Sequence, residues 1–232
     1  MSLILSLDAS TDRASVGLYR NNEKIDILEN FEQRDHASFI QPAVVEILDK
    51  SGVLFQDLDA IAVTEGPGSY TGLRVAMASA KGVCYAQNKP LILVNTLQAM
   101  ALAAKEDYVS NIGDALFFCP MIDARRLDVF TAIYNQELEL LTDIQAITLE
   151  ATYWDNWLEK GKLLFSGNGA SKLKPLLNVQ ANAQFLDVTM NVSQVNTLAQ
   201  AKFAISDFSD VAYSQPNYFK EFYTTAKPTS TN

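Results

Sequence analysis

The chain has 232 residues, 48% of them hydrophobic and 19% charged, which is long enough for one large domain or two small ones. Its net charge is −9, from 27 acidic against 18 basic residues, and the nearest approach to a basic cluster is the pair Arg125-Arg126. That argues against this chain alone gripping a nucleic-acid backbone, so any contact with RNA has to be shared with a partner. The single histidine, His36, excludes H-E-x-x-H and every metal site built on two imidazoles.

Leu3 to Asp8 reads as a strand, with Ser10-Thr11-Asp12 as the turn after it. The opening MSLILSLDAS has an apolar run but no basic segment before it, so no signal peptide is expected. Ala14 to Arg20 sets Val16 and Leu18 against Ser15, Gly17 and Tyr19 as a second strand, and Asn21-Asn22 is a hairpin signal. Lys24 to Phe31 is a third strand. A helical stripe follows, Phe39, Ile40, Ala43, Val44, Ile47 and Leu48, closed by Ser51-Gly52. Pro42 lies inside the stripe, so the helix either starts near Pro42 or starts near Ala37 and bends at the proline; the second is favoured.

Ala60 to Thr64 is a short apolar strand. Gly66-Pro67-Gly68 breaks it, and Ser69 or Thr71 caps a helix whose apolar positions are Leu73, Ala76, Met77, Ala80, Val83 and Cys84. Ala78, Ser79 and Gly82 keep this helix thin, so another backbone could approach it. Leu91 to Val94 is the next strand, completing a βαβ unit, and a further helix follows. The second half repeats the order. Leu116–Ile122, Asp128–Tyr134 and Leu138–Thr148 read as strands, Ala151–Lys160 as a helix, Lys162–Phe165 as a strand and Ala170–Leu177 as a helix. A short strand at Gln184–Val188 and a helix at Thr197–Phe208 complete it. Two βββαβα units in tandem predict an α/β duplication with a cleft between two lobes, residues 1–104 and 105–223. The boundary is placed in the polar stretch Lys105–Asp114, and 224–232 is a polar tail expected to be disordered. Cys84 and Cys119 sit in apolar context, as buried free thiols of a reducing compartment do. No apolar run approaches the roughly 18 to 20 residues of a membrane span.

A few residues could carry chemistry. Asp8, at the end of the first strand beside Ser10 and Thr11, could hold a hydrated cation or position a phosphate; equally, Asp8 and Ser10 could tie down the turn. Gly66, Gly68 and Ser69 open a helix, where free N–H groups favour an anion, but no Walker lysine follows and Glu65 would repel one. His36 beside Asp35 is a general base or, more simply, a helix-start or partner contact. Asp123-Ala124-Arg125-Arg126 is an ion-paired turn or an anion clamp, and Gly167-Asn168-Gly169 a structural turn.

Taken together, Asp8-Ala9-Ser10-Thr11 with its hairpin, His36 with Pro42, and the run GPGSYTGLR from Gly66 to Arg74 resemble the TsaB (YeaZ) family. These are small subunits of the bacterial machinery that makes threonylcarbamoyladenosine in tRNA. Ile122-Asp123-Ala124-Arg125, the strand Val129–Tyr134 and Pro216-x-Tyr218 agree with it. The resemblance implies an actin-like, hexokinase-like (ribonuclease H-like) duplicated fold, and partnership with the catalytic paralogue TsaD and the ATPase TsaE. TsaD-type proteins carry a metal-binding H-x-x-x-H after a Pro-x-x-x-x-Asn strand. Here Pro90 to Asn95 is followed by Thr96 and Met100 where the imidazoles would stand, and a hydroxyl with a thioether does not make that site. No metal ligand is therefore expected, which also counts against a metallopeptidase.

The resemblance also implies that the two helices of the first half pair with TsaD, or with a second copy of the chain when TsaD is absent. On that expectation the interface residues are His36, Phe39, Ile40, Ala43 and Ile47 on one helix and Leu73, Ala76, Met77 and Ala80 on the other. Burying each large apolar side chain contributes roughly 1.5 to 3 kcal/mol. The expected function is a non-catalytic scaffold subunit in the cytoplasm, with no catalytic residue and no cofactor in the isolated chain. ATP and a metal ion would enter only through partners, and tRNA only through the complex, with no membrane involved. The alternative is a small-molecule phosphotransferase of the same fold, using Asp8 as metal anchor and Gly66 to Ser69 as phosphate cradle, with Thr11 beside them.

Overall fold

The computed structural model describes residues 2–32, 35–108, 115–177 and 181–219. The first half contains β1 (Leu3–Asp8), β2 (Ala14–Arg20), β3 (Glu23–Asn30), α1 (His36–Ser51), a 3₁₀ turn at Phe55–Asp57, β4 (Ala60–Gly66), α2 (Tyr70–Gln87), β5 (Leu91–Asn95) and α3 (Thr96–Asp107). The second contains β6 (Leu116–Asp123), β7 (Asp128–Thr131), β8 (Gln145–Thr148), a 3₁₀ turn at Ala151–Trp154 running into α4 (Asp155–Leu158), β9 (Lys162–Ser166), α5 (Ala170–Leu173), β10 (Ala183–Phe185) and α6 (Val192–Ala204).

The duplication is visible in the sheets. The first has the order β3-β2-β1-β4-β5 and the second β8-β7-β6-β9-β10. In each, the first three strands pair antiparallel, while the fourth is parallel to both the first and the fifth. The expected βββαβα repeat, and with it the actin-like, ribonuclease H-like arrangement, is what the chain adopts.

Side-chain alternation on β1 sends Leu3, Leu5 and Leu7 to a core with α1 and α2, and Ile4 to a second core on the other face. That second core is shared by both halves: Ile92 and Val94 of the first sheet and Phe118 and Leu164 of the second enclose α3 and α6. A third core packs Trp154, Leu158 and Leu173 against the outer face of the second sheet. Helix α6, which the sequence division assigns to the second half, packs across the first sheet: Val192 Cγ1 lies where a Cβ on Gly17 of β2 would come within 2.6 Å. The chain after α6 stays on the first half. Ser209 N donates to the Leu91 carbonyl (2.8 Å), Lys81 Nζ donates to the carbonyls of Ala212 and Ser214, and Asn217 N donates to that of Glu65 (2.8 Å).

Helix α1 contains Pro42, so of the two alternatives the helix beginning near Ala37 is the one formed. The donor that proline lacks leaves the Ser38 carbonyl at an exposed position of the first turn. Gly52 ends the helix in a left-handed conformation (φ 64°), with Val53 N returning to the Leu48 carbonyl.

The second half departs from expectation in its shorter pieces. The strand expected over Leu138–Thr148 forms only at Gln145–Thr148, because Asn135 Oδ1 accepts from the amides of Glu137 (3.0 Å) and Glu139 (2.8 Å) and Leu138 turns at φ 62°. The β7 ladder closes at Thr131, three residues before Tyr134. The helices expected over 151–160 and 170–177 shrink to α4, with the 3₁₀ turn before it, and α5. The last helix begins at Val192 and not Thr197, where Asn191 and Gln194 form a capping box, and it ends at Ala204. The boundary residues 109–114 and the tail 224–232 lie outside the described residues.

Candidate functional site

β1 delivers Asp8 to the inner side of the first sheet, at the start of the β1–β2 turn. The side chain is fully buried, and Oδ1 accepts three bonds: from Ser10 N (3.0 Å), Ser10 Oγ (2.6 Å) and Thr64 Oγ1 (2.7 Å). Oδ2 is buried without a hydrogen-bond partner among the described residues. Burial pushes the Asp8 carboxyl above its usual range, against the pull of the Ser10 and Thr64 donors and the charge field of His36. His36, the first residue of α1, is only 3% exposed, and among the described residues neither ring nitrogen has a partner at hydrogen-bond geometry. Burial lowers its pKa, opposed first by Asp8 and then by the Asn30 backbone, Asp12 and Asp35. Of the carboxylates that act on His36, Asp8 has the largest effect, ahead of Asp12 and of Asp35, its neighbour in the sequence.

The loop from Gly66 to Ser69 is closed onto that same turn. Gly66 and Gly68 take positive φ (113° and 159°), and Ser69 N donates to the Ser10 carbonyl (2.7 Å). The Ser69 hydroxyl caps α2 by accepting from Gly72 N (3.3 Å), as expected. A Cβ on Gly72 would fall 1.9 Å from the Ala9 carbonyl oxygen, so only glycine lets α2 sit this close to the end of β1. The Ser69 amide, which a phosphate cradle would need, is thus already used by the protein.

Between the lobes lies a cleft of about 460 Å³. Thr11, Asp12 and Arg13 form one wall, Gly167, Asn168 and Ser171 the facing one, with Phe31, Met100 and the segment Leu186–Met190 closing it. Thr11 is the one residue of the expected anion site that lines this cleft, and among the described residues its hydroxyl has no hydrogen-bond partner. Arg13 stacks over Phe31 (4.8 Å to the ring centre) and pairs with Glu29 (3.2 Å). Asn168 was expected to be only a turn residue. It joins the halves, donating from Nδ2 to Asp12 Oδ2 (2.9 Å) while its Oδ1 accepts from Asp123 N (2.8 Å). The one sequence signal for this role is an asparagine between two glycines, and that pattern does not distinguish a bridge from a turn.

The metal that the TsaD comparison raised does not fit here. Thr96 is buried with its hydroxyl unpartnered, and the Met100 methyl packs against Gly167, so an apolar contact occupies the space. Among the described residues, no group of three or more His, Cys, Asp or Glu side chains could hold a metal ion.

The expected interface residues are corrected by their burial. His36, Ile40, Ala43, Ile47, Leu73, Ala76, Met77 and Ala80 are all buried within the chain itself, and six of them, Ile40, Ala43, Ile47, Ala76, Met77 and Ala80, belong to the core against the first sheet. Phe39 alone is half-exposed. The apolar stripe of each helix is the face that binds the sheet; the outward faces carry other residues. On α1 these include Val45, 47% exposed, and Pro42 among Gln41, Glu46, Asp49 and Lys50, and on α2 they include Ala78, Gly82, Tyr85 and Ala86 beside Thr71 and Arg74. No atom lies within 4 Å of the position a Cβ would take on Gly82. No described helix is long and apolar enough to cross a membrane.

Residues 28–228 match the family described as "TsaD: tRNA N6-adenosine threonylcarbamoyltransferase". The tRNA threonylcarbamoyladenosine biosynthesis protein TsaB of Bacillus subtilis (strain 168) is 30% identical over 75% of this chain and 74% of its own length. The protein of the same name from Haemophilus influenzae is 40% identical over 55% of this chain, a match that spans about half (51%) of that relative. The crystal structure of YeaZ from Pseudomonas aeruginosa superimposes with a TM-score of 0.76 at 26% identity, covering 94% of this chain and 100% of that one.

Proposed function

Since the chain belongs to the TsaB (YeaZ) family of tRNA threonylcarbamoyladenosine biosynthesis proteins, we propose that it is a non-catalytic scaffold of that modification, acting in the cytoplasm. It docks the catalytic subunit TsaD, helps to seat TsaE, and pairs with a second copy of itself when TsaD is absent. The observation that carries this reading is the Met100–Gly167 contact: where a catalytic paralogue needs metal ligands, this chain has a hydroxyl and a packed thioether. ATP and a metal ion are supplied by the partners, and tRNA is met only in the assembled complex.

The docking face is the outer side of α1 and α2, which form the outermost layer over the first sheet. Val45, Ala78, Gly82 and Tyr85 present apolar or small surface there, and a partner helix can approach closely over Ala78 and Gly82. The phosphotransferase alternative has less support, because the Ser69 amide is spent on the Ser10 carbonyl and Asp8 Oδ1 on Ser10 and Thr64. Size-exclusion chromatography with and without TsaD, together with calorimetry of Mg²⁺-ATP against the isolated chain, tests the reading. A shift to a one-to-one complex and no nucleotide heat are expected. Tight ATP binding by the chain alone, with turnover that disappears in Asp8→Asn, would favour the kinase.

A further inference from the structure

Helix α2 carries Arg74 and Lys81 and no carboxylate. Lys81 is spent within the chain: its Nζ donates to the carbonyls of Ala212 (3.1 Å) and Ser214 (2.7 Å). On α1, the exposed Lys50 pairs with Glu46 one turn away (2.5 Å). Arg74 is exposed, and among the described residues it pairs with no carboxylate. Glu65, on the strand that leads into α2, is engaged by Asn217 Nδ2 (2.9 Å). Arg74 is thus the cation of these two helices to which the described chain brings no counter-charge.

Its guanidinium is nonetheless held in place. The central carbon lies 5.1 Å from the centre of the Tyr70 ring, one helical turn back, and Nη1 donates to the Tyr70 hydroxyl. Tyr70 in turn packs on Tyr218, with ring centres 5.2 Å apart and planes tilted by 41°. Tyr218 follows Asn217, whose amide donates to the Glu65 carbonyl (2.8 Å), so the chain after α6 returns to α2 to complete this platform. Ordering a long side chain costs rotamer entropy. Here that ordering is already present in the free protein, so a partner that takes the guanidinium does not pay for it again. Arg74 precedes Ala78 by four residues and lies on the same outward side of α2, beside the thin stretch where a partner helix can approach.

We propose that Arg74 is the charged anchor of the docking face, and that TsaD presents an Asp or Glu carboxylate to it. A guanidinium stacked by its face keeps its N–H edge for a bidentate contact, the geometry that a carboxylate matches. Arginine flanked by tyrosine is also the composition typical of residues that dominate an interface. A small-residue surface alone would accept many helices. A fixed cation at its side selects those that bring an acid and penalises those that bring a second cation. The proposal rests on the reading that TsaD docks on the outer side of α1 and α2, and it goes further by naming the chemistry that TsaD brings there.

The test measures binding of the full chain to immobilised TsaD by biolayer interferometry at about 50 and 200 mM salt. Arg74→Gln keeps the stem and removes the charge. It is expected to melt at the wild-type temperature, to bind TsaD about tenfold more weakly and to lose part of the salt dependence that wild type shows. Arg74→Lys is expected to recover only part of that loss, because an ammonium offers neither the planar stack nor the fork. In the Arg74→Lys complex a carbodiimide, which activates carboxylates towards amines, is expected to join position 74 to an Asp or Glu of TsaD, read by mass spectrometry of the linked peptides. Wild-type affinity in Arg74→Gln would overturn the proposal, and so would a lowered melting temperature, since the side chain would then be a brace of the fold. A cross-link found only to a second copy of this chain would also overturn it. So would an unchanged affinity for TsaD with weakened binding of tRNA by the assembled complex, because the anion would then be a phosphate. If wild type itself does not bind TsaD, the scaffold reading fails first and this proposal with it.

Discussion

The methyl end of Met100, on α3, lies against Gly167, in the turn after β9. A Cβ placed on Gly167 would stand 2.3 Å from Met100 Cε and 2.4 Å from the Met121 carbonyl oxygen, at a backbone φ of 86°. Two halves of the protein are therefore fastened by an apolar contact at the floor of their cleft. Gly167→Ala meets a left-handed backbone and an immovable carbonyl together, and should lower stability by about 2–4 kcal/mol in a urea melt. Trimming Met100 to alanine in the same chain should recover only part of that loss, because Met121 O remains. Full recovery would mean that Met100 alone sets the constraint.

Asp8 gives a prediction about pH. Its folded-state pKa is raised, so the native state holds the proton more tightly than the unfolded chain. Its contribution to stability is complete below the ordinary value of 3.8 and is lost as pH climbs through the raised value. Asp8→Asn keeps an oxygen for the three donors and removes the buried charge, so that part of the pH dependence should vanish while the melting temperature at neutral pH holds or rises. Thr64→Val removes one donor from the carboxylate and should cost about 1–3 kcal/mol. Urea melts of the three proteins from mildly acid to neutral pH check both statements.

His36 acts with the opposite sign. Its folded-state pKa is lowered, so the unfolded chain takes up the proton first. Stability is fully present above 6.5 and falls as pH drops through the lowered value. His36→Gln should flatten the stability profile in that window. A profile for His36→Gln that still falls below 6.5 by as much as wild type would remove His36 as the source.

Much of this architecture could be read from residues, and the parts that could not have identifiable causes. β1, β2, β4 and β5 announced themselves by apolar runs of strand length, and α1 and α2 by stripes long enough to show a period. The second-half helices α4 and α5 span four residues each, too short for a 3.6-residue repeat to register. Leu138–Thr148 has strand-like composition, but the Asn135 side chain captures two downstream amides and bends the chain first. Asn191 and Gln194 spelled out the start of α6 in a capping pattern that the helical stripe from Thr197 obscured. The Ser69 amide on the Ser10 carbonyl brings the two candidate turns together, while Asn168 and Thr64 reach them through tertiary contacts that carry no local signal.

Both helix stripes face the sheet, and that sets the last prediction. On an amphipathic helix laid over a sheet, the widest apolar stripe is the one the sheet consumes. Ile40 and Ala80 are 0% exposed, so Ile40→Glu or Ala80→Glu places a charge in a packed core. The penalty is comparable with the stability of a whole domain, about 5–15 kcal/mol, and both variants should fail to fold. Val45 is 47% exposed and Ala78 lies on the outer side of α2, so Val45→Glu and Ala78→Glu should fold with melting temperatures near wild type. In those two the charge meets only what docks on this face under the proposed function. Each should therefore elute as a monomer, and co-purification with TsaD should fall at least tenfold, as expected for an uncompensated charge against a docked apolar helix. If both fold, still dimerise and still retain TsaD, the outer face of α1 and α2 is not the working surface of this protein.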